Sequence, residues 1–354
     1  SSLRVNRREF LKRFGVLGGG IIIYFTLGDS LTWAQRRRTG FLGARVPADF
    51  NAFLRIGADN KVTCLTGKTE LGQGPITSLA QMLAEELDVS YDSVDIIMGD
   101  TDLCPWDAGT FGSLSTRHFG VFLREAACEA RGVLKELAAD YLMCPIGRLR
   151  TKGGVVFDKS QPHNRVTYGR LTRGKIIERH LKKLPPLKPA SEFTIMGKSY
   201  LRRDAHEKVT GKAQYAGDIR LPGMVYAKIL RPPAHGARLK NVDTSAAERM
   251  RGVHVIRDGD LIAVLHEYPD EAERALAEIN AQFDMPKTGI DERNIFDHLL
   301  KRAPNPEIAS KGGDLKTGGG RATTIVEETY LNSYVSHAPI ETHTAVANIE
   351  KGKA

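Results

Sequence analysis

Residues 62–98 read VTCLTGKTELGQGPITSLAQMLAEELDVSYDSVDIIM, and residues 109–116 continue with GTFGSLST. Residues 62–66 have the composition of a short strand, and Ile76, Leu79, Ala80, Leu83 and Leu87 then recur at the spacing of one helix face. Residues 94–98 form a second apolar run of strand character. After the second turn, Phe122, Ala126, Ala130, Val133, Leu137 and Tyr141 line the face of another helix. The order is strand, Gly turn, helix, strand, Gly/Ser turn, helix. It predicts an α+β fold in which each turn opens a helix.

A helix start carries unpaired backbone N–H groups that attract anions, and glycine lets a ligand approach the backbone. Two such turns predict a cradle for a polyanionic cofactor, although ordinary helix capping accounts for either turn taken singly. Two familiar phosphate motifs fail here. A P-loop ending in Gly67-Lys68-Thr69 needs glycine where Val62 stands, and a dinucleotide fingerprint starting at Gly72 needs glycine where Thr77 stands. Neither ATP nor NAD is indicated.

The string TELGQGPITSLAQMLAEEL, the Gly99-Asp100-Thr101 that follows, and GTFGSLST resemble the large, molybdopterin-binding subunit of the xanthine oxidase group of molybdenum hydroxylases. Within that group the isoquinoline 1-oxidoreductase and aldehyde dehydrogenase branch is the most similar, because its cofactor-binding block comes first in the chain. A second block, Asp204 to Ala237, is similar to the start of the family's hammerhead domain. A third, Tyr330 to Ala347, resembles the segment that returns from the hammerhead into the cofactor-binding domain.

The resemblance implies residue roles. Gln73 matches a glutamine that hydrogen-bonds the pterin near the metal, with Gly72 and Gly74 leaving the backbone open beside it. Phe111, Gly112, Ser113, Ser115 and Thr116 fall in the turn whose amides and hydroxyls hold the pterin end and its phosphate. The cofactor implied is molybdenum-molybdopterin, with the cytosine dinucleotide as one candidate form. The reaction implied is oxidative hydroxylation of an aldehyde or N-heterocycle with oxygen from water.

No catalytic residue or metal ligand is assigned in this chain. In the family, the glutamate base and the glutamine beside the metal oxo group come later than the position matching residue 354, so the sequence corresponds to the front half of the large subunit. The expected partners are a second polypeptide that completes the molybdopterin domain, a subunit carrying [2Fe–2S] clusters, and a cytochrome c as candidate acceptor. A structural or assembly subunit that no longer holds cofactor is the alternative. His337, Glu341 and His343 offer a rival zinc site if the strand is extended, but Pro339 between them favours an irregular or edge strand and a structural role.

The 354 residues exceed one ordinary domain, and 41% hydrophobic with 26% charged is a globular balance. Cys64, Cys104, Cys128 and Cys144 contain no C-x-x-C pair, so the family's iron–sulfur clusters are expected on a partner. The net charge of +9 is uneven: residues 1–45 hold nine basic and two acidic side chains, and residues 146–200 hold thirteen and three. Nucleic acid is not an expected partner, since such charge would be interleaved with exposed aromatics on one domain.

Asn6-Arg7-Arg8-Glu9-Phe10-Leu11-Lys12 is close to a twin-arginine export signal, and the apolar stretch from Phe14 to Leu27 follows as its hydrophobic region would. No clear A-x-A cleavage site comes after it, so a retained anchor on the periplasmic face of the bacterial inner membrane is expected. The domain plan is a twin-arginine signal or membrane anchor over 1–35, a linker over 36–50, the first part of the molybdopterin-binding domain over 51–185 and the hammerhead over 195–285. A proline-rich linker at Pro185, Pro186 and Pro189 joins the last two. A flexible connection over 286–322 and a return segment of strands over 323–354 complete the plan. Within the hammerhead, strands are expected near residues 252–256 and 261–265 and a helix from Pro269 to Phe283.

Overall fold

The computed structural model describes residues 20–24, 52–105, 107, 109–173, 176–177, 181, 185–287, 289–308, 310–336, 338–340 and 342–349. The chain separates into two compact units, residues 1–213 and 214–354. The expected signal motif at Arg7 and Arg8 and the linker over 36–50 lie outside the described residues.

The first unit is built on a five-stranded mixed sheet. Its strands are β1 (Gly20–Tyr24), β2 (Ala52–Gly57), β3 (Val62–Thr66), β4 (Val94–Met98) and the short β8 (Ile176–Ile177), in the order β4-β3-β2-β1-β8. β3 and β4 run parallel, and the crossover between them carries helix α1 (Pro75–Leu87). A long helix, α2 (Gly120–Leu142), follows. An antiparallel meander, β5 (Leu149–Lys152), β6 (Val155–Asp158) and β7 (Gln161–Thr167), then leads into the short helix α3 (Tyr168–Thr172).

Register explains the core. Ile56 pairs with Val62 and Val62 with Val94, while Leu54 pairs with Cys64 and Cys64 with Ile96. These two rows project to one face of the pleat. They meet Leu79, Leu83 and Leu87 of α1, Leu123, Ala127, Ala130 and Leu134 of α2, and Leu149, Val156 and Val166 of the meander in one buried cluster. A Cβ on Gly120 would lie 2.5 Å from Met82 Sδ, so α2 meets α1 closely here and Met82 packs into the space the glycine leaves. All four cysteines are buried, and burial pushes each thiol above its usual range, which keeps them protonated and inert.

Three carboxylates crowd the C-terminal end of α1, where the helix dipole disfavours negative charge. Basic groups from elsewhere compensate. Arg124 reaches Glu86 at 2.6 Å, Arg131 reaches Asp88 at 3.2 Å, and Lys188 reaches Asp88 at 2.6 Å and Glu85 at 3.2 Å. Glu85 Oε2 also accepts backbone N–H bonds from Thr194, Ile195 and Met196 at 2.8, 2.6 and 3.0 Å. The proline-rich segment expected as a linker is thus tied down on the first unit. Arg203 continues the attachment, stacking 4.5 Å from the Tyr91 ring and donating to its hydroxyl. Helix α4 (Ala205–Val209) closes the unit.

The second unit holds a three-stranded antiparallel sheet, order β11-β12-β9, from β9 (Tyr226–Ile229), β11 (His254–Asp258) and β12 (Leu261–His266). A separate ribbon pairs β10 (Arg238–Asp243) with β13 (Asn280–Asp284). Helices α5 (Ser245–Glu248) and α6 (Pro269–Ala277) contribute Ala247 and Ala275 to a small core with Val264. Helices α7 (Ile295–Arg302) and α8 (Leu315–Arg321) follow.

Both expected hammerhead strands are present. The helix expected through Phe283 ends at Ala277 instead, and residues 280–284 pair as β13. There Ala281 and Phe283 are half-buried while their neighbours are exposed, the alternation of a strand. The strands expected over 323–349 do not form among the described residues, where Ile325, Val326, Tyr330, Leu331, Tyr334 and Val335 are exposed. A strand needs a paired edge, and none described in the second unit accepts this segment. Of the proposed zinc ligands, His337 and Glu341 lie outside the described residues and His343 is exposed. No described helix is long and apolar enough to cross a membrane.

Burial opposes ionisation of Glu85, but its backbone N–H donors and Lys188 outweigh that and hold the carboxyl below its ordinary range. A carboxyl lowered by folding adds stability above its unfolded pKa of about 4.3, and that stability is lost as pH falls through the folded value. Glu85→Gln should therefore cost about 1.5–3 kcal/mol at pH 7, the worth of hydrogen bonds to a charged group, and flatten the acid side of the stability profile. Thermal unfolding from pH 7 to pH 3 measures both; an unchanged curve would remove Glu85 from its role in anchoring residues 185–203.

Candidate cofactor site

Because β3 and β4 are adjacent and parallel, the turns that follow them leave from the same end of the sheet. Backbone contact begins at once, with Gly99 N donating to Thr66 O at 3.3 Å. Lys68 Nζ then reaches across to Asp107 Oδ1 at 2.8 Å and to Gly109 O at 2.7 Å. Thr69 N donates to Thr110 Oγ1 at 2.8 Å. A Cβ on Gly67 would lie 2.5 Å from Asp107 Cβ and 2.6 Å from Pro105 O, so this approach requires glycine.

The first turn is filled by the chain's own acid. Glu70 Oε1 accepts from the N–H groups of Gly72 and Gly74, each at 2.9 Å, and Oε2 accepts from Ile76 N at 3.2 Å. The carboxylate thus occupies the positive end of α1 that the sequence suggested for an external anion. Gly72 at φ 101° and Gly74 at φ 85° adopt left-handed conformations that curl the loop back onto Glu70. Gln73 braces the same turn: its Oε1 accepts from Leu71 N at 2.6 Å, and its Nε2 donates to Thr69 O at 3.3 Å. Arg202 donates to Gly72 O at 2.6 Å while also pairing with Asp204.

The second turn is open. Gly112 at φ 63° and Ser113 at φ 55° are both left-handed, and for the serine this conformation is strained. A π-helical turn over Ser115–Phe119 precedes α2, a local widening that recurs at functional sites. Among the described residues, the N–H groups of Gly112 and Ser113 and the hydroxyls of Ser113 and Ser115 make no hydrogen bond. Thr116 Oγ1 lies 3.3 Å from Ser78 Oγ and links the second turn to α1.

Between the turns is a cleft of about 320 Å³ lined by Gln73, Pro75, Ser78, Thr110, Phe111, Ser113, Ser115 and Thr116. Five of the residues singled out from the sequence therefore face one space. Gly72, Gly74 and Gly112 shape its walls without lining it. Pro75, Ser78 and Thr110 were missed. Thr110 belongs to the turn already quoted, and Ser78 is one helical turn beyond Gly74, so helical spacing was the signal that could have found it. Among the described residues that line the cleft none is charged; Arg117 sits at the rim, donating to Gly112 O at 3.4 Å. The donors free at the second turn, the hydroxyls and the Phe111 plane fit a flat heterocycle that carries an anionic tail.

The Molybdopterin cofactor-binding domain family matches residues 17–216, more than half of the chain, and the Aldehyde oxidase and xanthine dehydrogenase a/b hammerhead domain matches residues 210–284. The B chain of the nicotinate dehydrogenase of Pseudomonas putida is 32% identical over 313 residues, covering 85% of this chain and 26% of that protein. The beta chain of the isoquinoline 1-oxidoreductase of Brevundimonas diminuta is 28% identical over 396 residues, covering 98% of this chain and 50% of that protein. Among solved structures, CO dehydrogenase from Oligotropha carboxidovorans is 32% identical, with a TM-score of 0.32 over 34% of this chain and 15% of that chain. The chain thus spans between a quarter and a half of the lengths of these two curated relatives. With a molybdopterin-binding domain ahead of a hammerhead, it belongs to the xanthine oxidase family of molybdenum hydroxylases.

Proposed function

We propose that this chain is the cofactor-holding part of a molybdenum hydroxylase that oxidises an N-heterocycle or an aldehyde. The observation that carries the proposal is the uncharged cleft between the two turns, with unused N–H and hydroxyl donors at Gly112, Ser113 and Ser115. The names of two relatives, nicotinate dehydrogenase and isoquinoline 1-oxidoreductase, favour an N-heterocycle as substrate class.

When bound, the molybdenum-molybdopterin group would supply the hydroxylation chemistry and accept two electrons from the substrate. The chain's own residues hold and orient that group. Gly112 N, Ser113 N and the Ser113 and Ser115 hydroxyls offer hydrogen bonds to its phosphate and pterin edge, and Gln73 keeps one amide N–H to offer from the opposite wall. Phe111 supplies an apolar surface. Among the described residues, the cleft contains no carboxylate or histidine that could take a proton. We assign the general base to polypeptide that completes the molybdopterin domain, another part of the assembled enzyme. A [2Fe–2S] subunit with a cytochrome c beyond it is the proposed electron route, and the cytosine dinucleotide the proposed form of the pterin. An assembly subunit that has lost the cofactor is separated from this reading by metal analysis of the purified complex.

Ser113 and Ser115 give a clean test because their hydroxyls hold no described partner. The Ser113→Ala/Ser115→Ala double variant should keep its thermal stability within about 0.5 kcal/mol, as surface substitutions do. Each lost hydrogen bond is worth about 0.5–1.5 kcal/mol, so with two lost, cofactor retention should fall about 5- to 150-fold. Molybdenum and pterin content after exhaustive dialysis is the readout, and full retention would refute the site.

We further propose that the protein is exported by the twin-arginine pathway to the periplasmic face of the inner membrane. The support is the Arg7-Arg8 motif ahead of the apolar stretch. Pairing of Gly20–Tyr24 with β2 and β8 makes a competing claim on that stretch. Arg7→Lys/Arg8→Lys should leave the folded protein in the cytoplasm. If cell fractionation shows no change in its location, the motif is not read as a signal and the segment belongs to the sheet alone.

A further inference from the structure

Lys68 and Asp107 stand behind the cleft and do not line it. Their side chains are 2% and 1% exposed, and they join the two turns. Asp107 Oδ1 accepts from both Lys68 Nζ and Gly109 N, each at 2.8 Å, while Lys68 Nζ also donates to Gly109 O at 2.7 Å. The Phe119 ring lies 5.5 Å from Nζ and helps to exclude water. Asp107 Oδ2 is buried without a hydrogen-bond partner among the described residues.

A buried ion pair is a poor way to gain stability, because desolvation consumes most of the attraction, and an orphaned carboxylate oxygen makes it poorer. What such a pair does supply is direction. The bonds to Lys68 Nζ and Asp107 Oδ1 fix Gly109 relative to Lys68, and the neighbouring Thr69 N to Thr110 Oγ1 bond repeats the tie one residue further along each turn. From Thr69 the constraint passes to Gln73, whose Nε2 donates to Thr69 O. From Gly109 it passes directly into Thr110 and Phe111 in the opposite wall of the cleft.

We propose that Lys68 and Asp107 are positioning residues, a buried clip that holds the Gly-Gln-Gly turn and the Gly109–Thr116 turn at the spacing the molybdopterin group requires without touching that group. The inference rests on the cofactor-binding reading above, and its test keeps the two apart.

The complete protein, produced with its partners in a molybdenum-replete host, is compared with Lys68→Met/Asp107→Leu. This change replaces the pair by apolar side chains and leaves no buried charge uncompensated. The thermal midpoint should stay near that of the wild type, while pterin leaves at least tenfold faster during dialysis at a temperature where the fold is intact. If the apolar pair does not fold, Lys68→Gln/Asp107→Asn, polar and uncharged, carries the same expectation of fast release. A pair with a merely structural role would lower the thermal midpoint and leave release from folded protein unchanged, which overturns the proposal. Wild-type release from the clip variants beside cofactor loss from Ser113→Ala/Ser115→Ala rejects the clip alone. A wild-type complex without molybdenum rejects both readings.

Discussion

The parallel pairing of β3 with β4 is the constraint from which the site follows. Two adjacent parallel strands need a crossover on one face of the sheet, and α1 provides it. Both loops at the C-terminal ends of those strands must then emerge side by side, the position where open α/β sheets gather ligands. The rows Ile56–Val62–Val94 and Leu54–Cys64–Ile96 hold the pairing in register because a slip by one residue would turn these side chains away from α1 and α2. The cleft is thus a consequence of how the core is packed.

Much of this was legible in the sequence, for identifiable reasons. Val62–Thr66, Val94–Met98 and the two helices were readable because each is a short, strongly patterned segment bounded by glycine. The turns drew attention through residue types that are tolerated in left-handed backbone. Less legible were features that depend on distant parts of the chain. Nothing near Glu85 announces that its carboxylate will collect the N–H groups of residues 194–196, more than a hundred positions away. The role of Glu70 was hidden for the opposite reason. A glutamate ahead of a glycine turn looks like a solvated charge, and only the loop's curl brings it to the helix start. Phe283 was assigned to a helix because the apolar pattern of α6 runs close to it, and the partner that makes it a strand, β10, lies about forty residues earlier.

The two turns solve the same electrostatic problem in different ways. At the start of α1 the dipole is met internally by Glu70, so the turn is saturated and stiff, with Gln73 as its brace. At the second turn the acid Asp107 takes up only the N–H of Gly109, and the strained conformation of Ser113 and the π-helical turn after it leave the amides of Gly112 and Ser113 and the serine hydroxyls unspent. One turn therefore behaves as a fixed wall and the other as the surface with donors to give. The distinction also bears on Gln73, since a side chain that already holds its own loop can present an amide N–H without reorganising when a partner arrives.

The absence of charge among the described residues lining the cleft has a physical sense of its own. A carboxylate in that space would repel a phosphate-bearing group at distances where water no longer screens well. An ammonium would attract it, but as a point charge it would fix the tail's orientation poorly. Neutral donors held by a rigid backbone bind an anion through directed dipoles and need little reorganisation when it enters. The charges this region does carry are set apart: Lys68 and Asp107 neutralise each other behind the cleft, Glu70 is absorbed by a helix, and Arg117 stays at the rim. That segregation leaves the space between the turns polar and, among the described residues that line it, without a charged side chain.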